Sequence, residues 1–261
     1  MEKTEIYNGN TLDKFKTIFS CIDNTTLEGA DTHQKVEQLC RRSLQMTDRS
    51  KGIPTVAAVC VYPVFVRQAK QLLEGSGIKV ASVAGAFPAG QSPIEIKLAE
   101  VRYALNEGAD EIDMVISRGS LLEGNDQKVK DEVAAIKEAC GDRHLKAILE
   151  TGELQNSDNI YRASMLAMQG GADFIKTSTG KIAVSATPES AQTMLQAIVD
   201  FEKTSSRKIG FKAAGGISTP EQALEYYNLT FRMMGHERAN NQYFRIGASR
   251  LTNRIFELLT Q

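Results

Sequence analysis

The sequence has no excess of charge of either sign: 31 lysines and arginines face 32 aspartates and glutamates over 261 residues, a formal charge of −1. That balance excludes a global field able to gather nucleic acid or an anionic membrane, so any basic feature has to be local. Also missing is a run of about eighteen apolar residues, the length a membrane-crossing helix needs. The opening MEKTEIYNGN carries no apolar signal core, so a cytoplasmic protein is expected. Cysteine is sparse. Cys21, Cys40, Cys60 and Cys140 are widely spaced with no CxxC pair, which speaks against a disulfide framework or a zinc site. There is no Gly/Ser linker, low-complexity tract or fixed-period repeat, and residues 1–261 are therefore read as one domain. With 42% hydrophobic and 24% charged residues, that domain has enough apolar material for a large core.

What the sequence does have is alternation. Short β-rich runs are separated by amphipathic stretches, the pattern of parallel βαβ units. The predicted strands cover 19–23, 55–62, 79–87, 111–116, 145–151, 173–179, 209–215 and 243–249. Between them, segments such as HQKVEQLCRRSLQM, IEIKLAEVRYALNEG and DQKVKDEVAAIKEAC repeat apolar residues at intervals of three and four, so helices are expected to cover the strands. Ser92-Pro93, Thr187-Pro188-Glu189 and Thr219-Pro220-Glu221 supply helix starts. Eight strand-helix units in a chain of this length favour a closed α/β barrel, the (β/α)8 TIM barrel, over an open doubly wound sheet. An extra helix, TLDKFKTIF, precedes the first strand and is placed to cover the bottom of the barrel. In such a barrel, chemistry belongs at the carboxyl ends of the strands.

Strands buried on both faces read as nearly continuous apolar runs, so an ionisable residue inside one requires a reason. Asp23, Asp113, Lys146, Lys176 and Lys212 are such residues, on five different strands. One such charge is as readily a solvated strand end as a functional group; five on five strands shift the balance to function. Lys176 and Lys212 both fall near the carboxyl end of their strands. Two ammonium groups sharing one desolvated mouth disfavour each other's charge, so one of them becomes a neutral amine near neutral pH. A neutral lysine amine attacks aldehydes and ketones, and the imine formed is an electron sink for making or breaking carbon-carbon bonds. This is class I aldolase chemistry, and Asp113 is the candidate for its proton transfers.

Three glycine turns follow the late strands: Thr179-Gly180-Lys181, Ala214-Gly215-Gly216 and Ile246-Gly247-Ala248-Ser249. Barrels commonly hold phosphate at this place, through backbone N–H groups and a helix start. A single such turn is ordinary in any barrel, whereas three together support a phosphate site. Lys181 is expected to enter a helix, where a cation is unfavourable unless an anion sits beside it. TSTGK is not a P-loop, because Ile175 stands where that motif needs its first glycine, and no GxGxxG follows the first strand.

In these motifs the sequence resembles the deoxyribose-phosphate aldolases, specifically their longer bacterial type. The motifs are GADFIKTSTGK (171–181) with ATPESA (186–191), GFKAAGG (210–216), GADEIDMV (108–115), LKAILETGEL (145–154) and AAVCVYP (57–63). The resemblance runs over nearly the whole chain. It implies a (β/α)8 barrel that reversibly cleaves 2-deoxy-D-ribose 5-phosphate to D-glyceraldehyde 3-phosphate and acetaldehyde, in deoxyribose catabolism, with no metal and no organic cofactor. It implies Lys176 as the Schiff-base lysine, Lys212 as the lysine that tunes it, and Asp113 as a proton relay with water. Asp23, Thr25, Cys60 and Lys146 are implied to line the same pocket. Thr179 joins them, and the phosphate is implied to meet Gly180, Lys181, Gly215, Gly216, Gly247 and Ser249. Small-molecule substrates, no nucleic acid or membrane partner, and a homodimer also follow from the resemblance. Two features depart from the family pattern. Arg250 follows Ser249 where the family often has a second serine. The sequence ends in LLTQ, where well-known members carry a tail ending in a tyrosine that assists proton transfer, which implies slower turnover or a substitute group.

Two alternatives stand beside this reading: a related lysine-dependent barrel aldolase acting on another phosphosugar, and a non-catalytic sugar-phosphate sensor. Retention of both lysines and the aspartate speaks against the sensor. Cys60, in an apolar strand, reads as an inert buried thiol before it reads as a nucleophile. Glu150 and Arg118, at strand ends, read as solvated charges. His33, His144 and His236 fall in or beside expected helices and loops away from the carboxyl ends, which disfavours a three-histidine zinc site.

Overall fold

Alternating strands and helices close on themselves: all eight strands run parallel, in sequence order, and the eighth pairs with the first. The computed structural model describes residues 9–261, so the first residues used in reading the absence of a signal core lie outside it. The strands are β1 (Ile22–Thr25), β2 (Ala58–Val61), β3 (Lys79–Ala84), β4 (Glu111–Val115), β5 (His144–Ile148), β6 (Phe174–Lys176), β7 (Gly210–Ala214) and β8 (Phe244–Ala248). Around them lie α1 (Gly9–Ser20), α2 (His33–Gln45), α3 (Val66–Leu72), α4 (Ile94–Asn106), the short α5 (Arg118–Leu122), α6 (Asp126–Cys140), α7 (Ser157–Gln169), α8 (Pro188–Thr204), α9 (Pro220–Met234) and α10 (Leu251–Thr260). This is the (β/α)8 barrel with an extra N-terminal helix that the alternation predicts. The main contacts of α1 run to α9 and α10, with Phe19 beside the Phe256 ring and Lys14 donating to Asn228. The extra helix therefore thickens the helical ring where the last unit meets the first, and its expected role as a cover for the bottom is corrected.

Several strands are shorter than predicted, for physical reasons. The first begins at Ile22, because α1 continues through Phe19 and Ser20. β3 and β5 stop early where Gly85, Ala86 and Glu150 take positive φ values of 77°, 61° and 58°, which no pleated strand accommodates. At the end of β6, the Thr177 hydroxyl donates to the Ala214 carbonyl and accepts from its N–H, both at 2.9 Å. The residues cut from the ends of β3, β5 and β6 thus belong to the loops of the carboxyl-terminal face. Helix α8 starts at Pro188, capped by Thr187, whose side chain accepts from the Ser190 N–H at 3.1 Å. Losing such a cap typically costs about 1 kcal/mol. Lys181 accordingly lies in the loop before α8 and not at a helix start, as the sequence suggested.

Apolar packing is divided in two. The larger core lies between strands and helices and includes Val59, Ile112, Ala147, Ile175, Phe211 and Ile246. A small second cluster inside the barrel, Leu27, Ala58, Cys60, Ala81 and Val83, occupies the side of β2 and β3. Most of the charged interior residues lie on the other strands.

Candidate active site

Successive residues of a strand face opposite sides, so period two carries Glu111 and Asp113 of β4 into the interior, together with Lys146, Lys176, Lys212, Arg245 and Asp23 of neighbouring strands. Parallel register sets Asp113 beside Lys146, Lys176 beside Lys212 and Lys212 beside Arg245. Two glycines make room for bulky interior side chains, one aromatic and one charged. A Cβ on Gly210 would stand 2.2 Å from the Phe174 ring, and one on Gly247 would stand 3.2 Å from Cε of Lys212.

Asp113 is the centre of the cluster. Its Oδ2 accepts from Nζ of Lys176 at 2.7 Å and from Nζ of Lys212 at 2.8 Å, and its Oδ1 accepts from Lys146 at 2.9 Å. Lys212 also donates to Asp23 at 2.5 Å. Arg245 joins Asp23, at 2.8 Å, to Glu111, at 2.9 Å, and Lys146 lies 2.5 Å from Glu111. All seven side chains are buried. Fully charged, four cations face three carboxylates; with one lysine neutral, the cluster balances.

The lysine placed to be neutral is Lys176. Burial lowers its pKa below the ordinary lysine value; the adjoining Asp113 carboxylate opposes this, and the Lys212 ammonium adds to the lowering. For Lys212, burial acts in the same direction but is outweighed by Asp113 and Asp23, which raise its pKa. One lysine is therefore biased to the free amine and the other to the ammonium, from a shared carboxylate oxygen.

The carboxylates respond in the opposite sense. Burial alone would raise Asp113, but Lys146, Lys176 and Lys212 hold it well below the ordinary range. Lys146, the neighbouring His144 and Arg245 overcome burial in the same way at Glu111, and Lys212, Arg245 and Lys146 do so at Asp23. A carboxylate whose folded pKa lies below its unfolded value contributes stability above the unfolded value, and that stability is lost as pH falls through the folded one. Barrel stability is therefore expected to fall steeply below about pH 4, where unfolded Asp and Glu take up protons. Denaturant titrations between pH 7 and pH 3 measure this, and Asp113→Asn is expected to flatten the decline.

Above the ionic cluster opens a cavity of about 380 Å³, within the range of small-ligand sites. Lys176 reaches it, and Thr25, Thr179, Gly180, Lys181, Gly215, Gly216, Gly247 and Ser249 line it, so most of the residues singled out in the sequence meet at one mouth. Asp23, Cys60, Lys146, Asp113 and Lys212 are not on its lining; Asp23, Lys146, Asp113 and Lys212 form the charged layer that holds Lys176 from below. Burial pushes the Cys60 thiol up to about 11, leaving it protonated at neutral pH, as the inert reading requires. Gly180 and Gly215 take positive φ values of 77° and 91°, and a Cβ on Gly215 would stand 2.5 Å from Cβ of Ser185. These turns bring bare backbone to the cavity, the arrangement that suits an anion.

The cavity is more basic than the sequence reading allowed. Lys35 and Arg250 line it together with Lys181. Lys35 is paired with Asp31 at 2.5 Å and Lys181 with Glu28 at 2.9 Å. Sequence reasoning also missed Glu111 and Arg245, which stand at the amino ends of their strands, where charges pass as solvated. Period two would have found them, since each lies two residues from an interior position already singled out, Asp113 and Gly247. Glu150, set aside as a solvated strand end, is buried and accepts the Thr179 N–H at 3.1 Å. His144 opens β5 at the amino end of the barrel, 3.7 Å from Glu111. Among the described residues, no group of three His, Cys, Asp or Glu side chains is placed to hold a metal ion, and no helix is long and apolar enough to cross a membrane.

Residues 17–228 match the family described as DeoC/LacD family aldolase. Deoxyribose-phosphate aldolases of Mus musculus and Homo sapiens are each 47% identical over 247 residues, a span covering 90% of this chain and 77% of the relative. Among solved structures, the tetrameric deoxyribose phosphate aldolase of Aeropyrum pernix superposes with a TM-score of 0.75 at 25% identity, over 98% of this chain and 99% of that one.

Proposed function

The chain belongs to the DeoC/LacD family of aldolases, and on that premise we propose that it reversibly cleaves 2-deoxy-D-ribose 5-phosphate to D-glyceraldehyde 3-phosphate and acetaldehyde through an imine on Lys176. The observation that carries this reading is the meeting of Lys176 and Lys212 on one oxygen of Asp113; burial lowers the pKa of Lys176, and the adjoining Lys212 ammonium adds to the lowering. In this reading, residues 1–261 form one domain, the protein works in the cytoplasm as a homodimer, and its partners are small molecules.

The neutral Nζ of Lys176 adds to the C1 aldehyde of the open-chain sugar; loss of water gives a protonated imine. That cation withdraws electrons as the C2–C3 bond breaks, with the C3 hydroxyl proton leaving through water to a carboxylate. Asp113 suits the carboxylate role by position, one of its oxygens lying 2.7 Å from the Lys176 nitrogen on which the imine forms. Lys212 stays an ammonium and supplies fixed positive charge to that carboxylate. The enamine left on Lys176 is protonated at C2, and water returns the free amine and acetaldehyde. The phosphate is assigned to the three glycine turns, with Lys181 and Arg250 as its side-chain cations.

Incubation with acetaldehyde followed by borohydride reduction is the direct test. Peptide mapping is expected to find one two-carbon adduct, on Lys176; an adduct elsewhere, or none, would overturn the imine. For the phosphate assignment, Lys181→Met is expected to lower the preference for the phosphorylated sugar over 2-deoxy-D-ribose about tenfold, the effect of one lost charge-assisted contact. Kinetics on the two sugars measure that ratio, and an unchanged ratio would remove Lys181 from the phosphate site.

A further inference from the structure

We propose that Glu150 is a positioning residue for the phosphate-binding turn: it does not line the mouth, and its hydrogen bonds to Thr179 hold the backbone of residues 179–181 in the shape the phosphate needs. The proposal rests on the phosphate assignment above. Its geometry is specific. The Glu150 carboxylate is buried, one oxygen accepts the Thr179 N–H at 3.1 Å, and the other accepts the Thr179 hydroxyl. That hydroxyl in turn accepts the Lys181 N–H at 3.0 Å. A continuous chain of hydrogen bonds thus runs from a buried carboxylate, through a hydroxyl, to the backbone on either side of Gly180.

The backbone around Glu150 reinforces this arrangement. Glu150 itself sits at φ 58°, a left-handed conformation that a non-glycine residue rarely takes and that tends to mark a constrained functional turn. Next to it, the Thr151 N–H donates to the Thr177 carbonyl at 3.0 Å. Two residues beyond Glu150, Gly152 is pressed so closely on the following loop that a Cβ would stand 2.0 Å from the Val184 carbonyl oxygen. The loop after β5 is therefore a template against which the loop after β6 is moulded. The nearest cationic counterpart, Arg118, is 3.8 Å from Glu150 and closer, at 2.6 Å, to Glu153. The closest polar partners of the Glu150 carboxylate are thus the N–H and hydroxyl of Thr179.

A carboxylate can accept both Thr179 hydrogens, one on each oxygen; an amide has a single acceptor oxygen and two donor hydrogens. Glu150→Gln therefore keeps the volume and breaks the chain. The expected result is about a tenfold rise in KM for 2-deoxy-D-ribose 5-phosphate and about tenfold weaker competitive inhibition by inorganic phosphate, the effect of one lost hydrogen bond to a charged group. The kcat at saturation, kcat/KM for 2-deoxy-D-ribose and borohydride trapping on Lys176 are expected to change little. Thr179→Val, which leaves the buried charge in place, is expected to give the same KM defect, and Thr179→Ser to restore the wild-type value. In the double variant Glu150→Gln/Thr179→Val the defect should be no larger than in the worse single one, because both break the same chain. Unchanged phosphate inhibition in Glu150→Gln, or equal losses on both sugars that follow thermal stability, would overturn the positioning role. If the wild-type protein shows neither preference for the phosphorylated sugar nor inhibition by phosphate, the phosphate assignment fails first, and the proposal with it.

Discussion

Lys176→Leu is expected to reduce aldol cleavage by on the order of 10⁵-fold and to abolish borohydride trapping, because the variant keeps the cavity and loses the amine to which the proposed imine is assigned. Residual activity should come from binding alone. The substitution should not unfold the barrel, for a reason visible in the charges. Removing Lys176 leaves Lys146, Lys212 and Arg245 opposite Asp23, Glu111 and Asp113, the same balance the cluster has whenever Lys176 is a free amine. Leucine also fills most of the space of the lysine stem. Circular dichroism and thermal melting should therefore stay close to wild type. Wild-type turnover in this variant would refute Lys176 as the nucleophile, and collapse of the fold would refute the neutral resting state.

Lys212→Leu is expected to produce a different failure, dependent on pH. With Lys212 gone, Asp113 and Asp23 lose a cation, and the cluster regains balance if Lys176 takes up a proton. Loss of the repelling ammonium acts in the same direction. Both effects raise the pKa of Lys176, and below that pKa each unit of increase lowers the free-amine fraction tenfold. Activity at pH 7 is expected to fall by more than about 10²-fold, with the acidic limb of the profile moved to higher pH and part of the rate recovered at alkaline pH. Trapping rates from pH 6 to pH 10 measure the shift, and an unmoved profile would refute the two-lysine arrangement. Unpairing buried carboxylates costs about 3–5 kcal/mol, so Lys212→Arg, which keeps the charge, is the control. It should fold like the wild type and hold Lys176 in its low-pKa state.

The fold was legible because its signals are periodic. Eight apolar runs and amphipathic stretches such as DQKVKDEVAAIKEAC, which matches α6 residue for residue, are repeated many times over, and errors are confined to ends. Those ends were misjudged where a single residue leaves the extended region, as at Ala86 and Glu150, and β-rich composition says nothing of φ. The centre of the site was legible because a lysine in the middle of a buried strand conflicts with its surroundings. Glu111 and Arg245 produce the same conflict at strand starts, where the amino end of a barrel offers a plausible solvent-exposed alternative. For Glu150, burial comes from the neighbouring loop, a tertiary contact that no local pattern encodes. Lys181 illustrates the converse: its proximity to the mouth could be read, whereas its ion pair with Glu28, 153 residues away in sequence, could not.

The ionic part of the interior has a consequence for substitution. Six of the eight strands contribute a charged side chain to one mutually neutralising cluster, so a lone substitution that changes its charge by more than the spare proton of Lys176 exposes an unpaired ion. A substitution that removes the Asp113 carboxylate is therefore expected to be tolerated best together with a compensating change among its lysine partners. Lys176 differs from its neighbours in that its loss needs no compensating proton, since Lys146, Lys212 and Arg245 still stand opposite Asp23, Glu111 and Asp113.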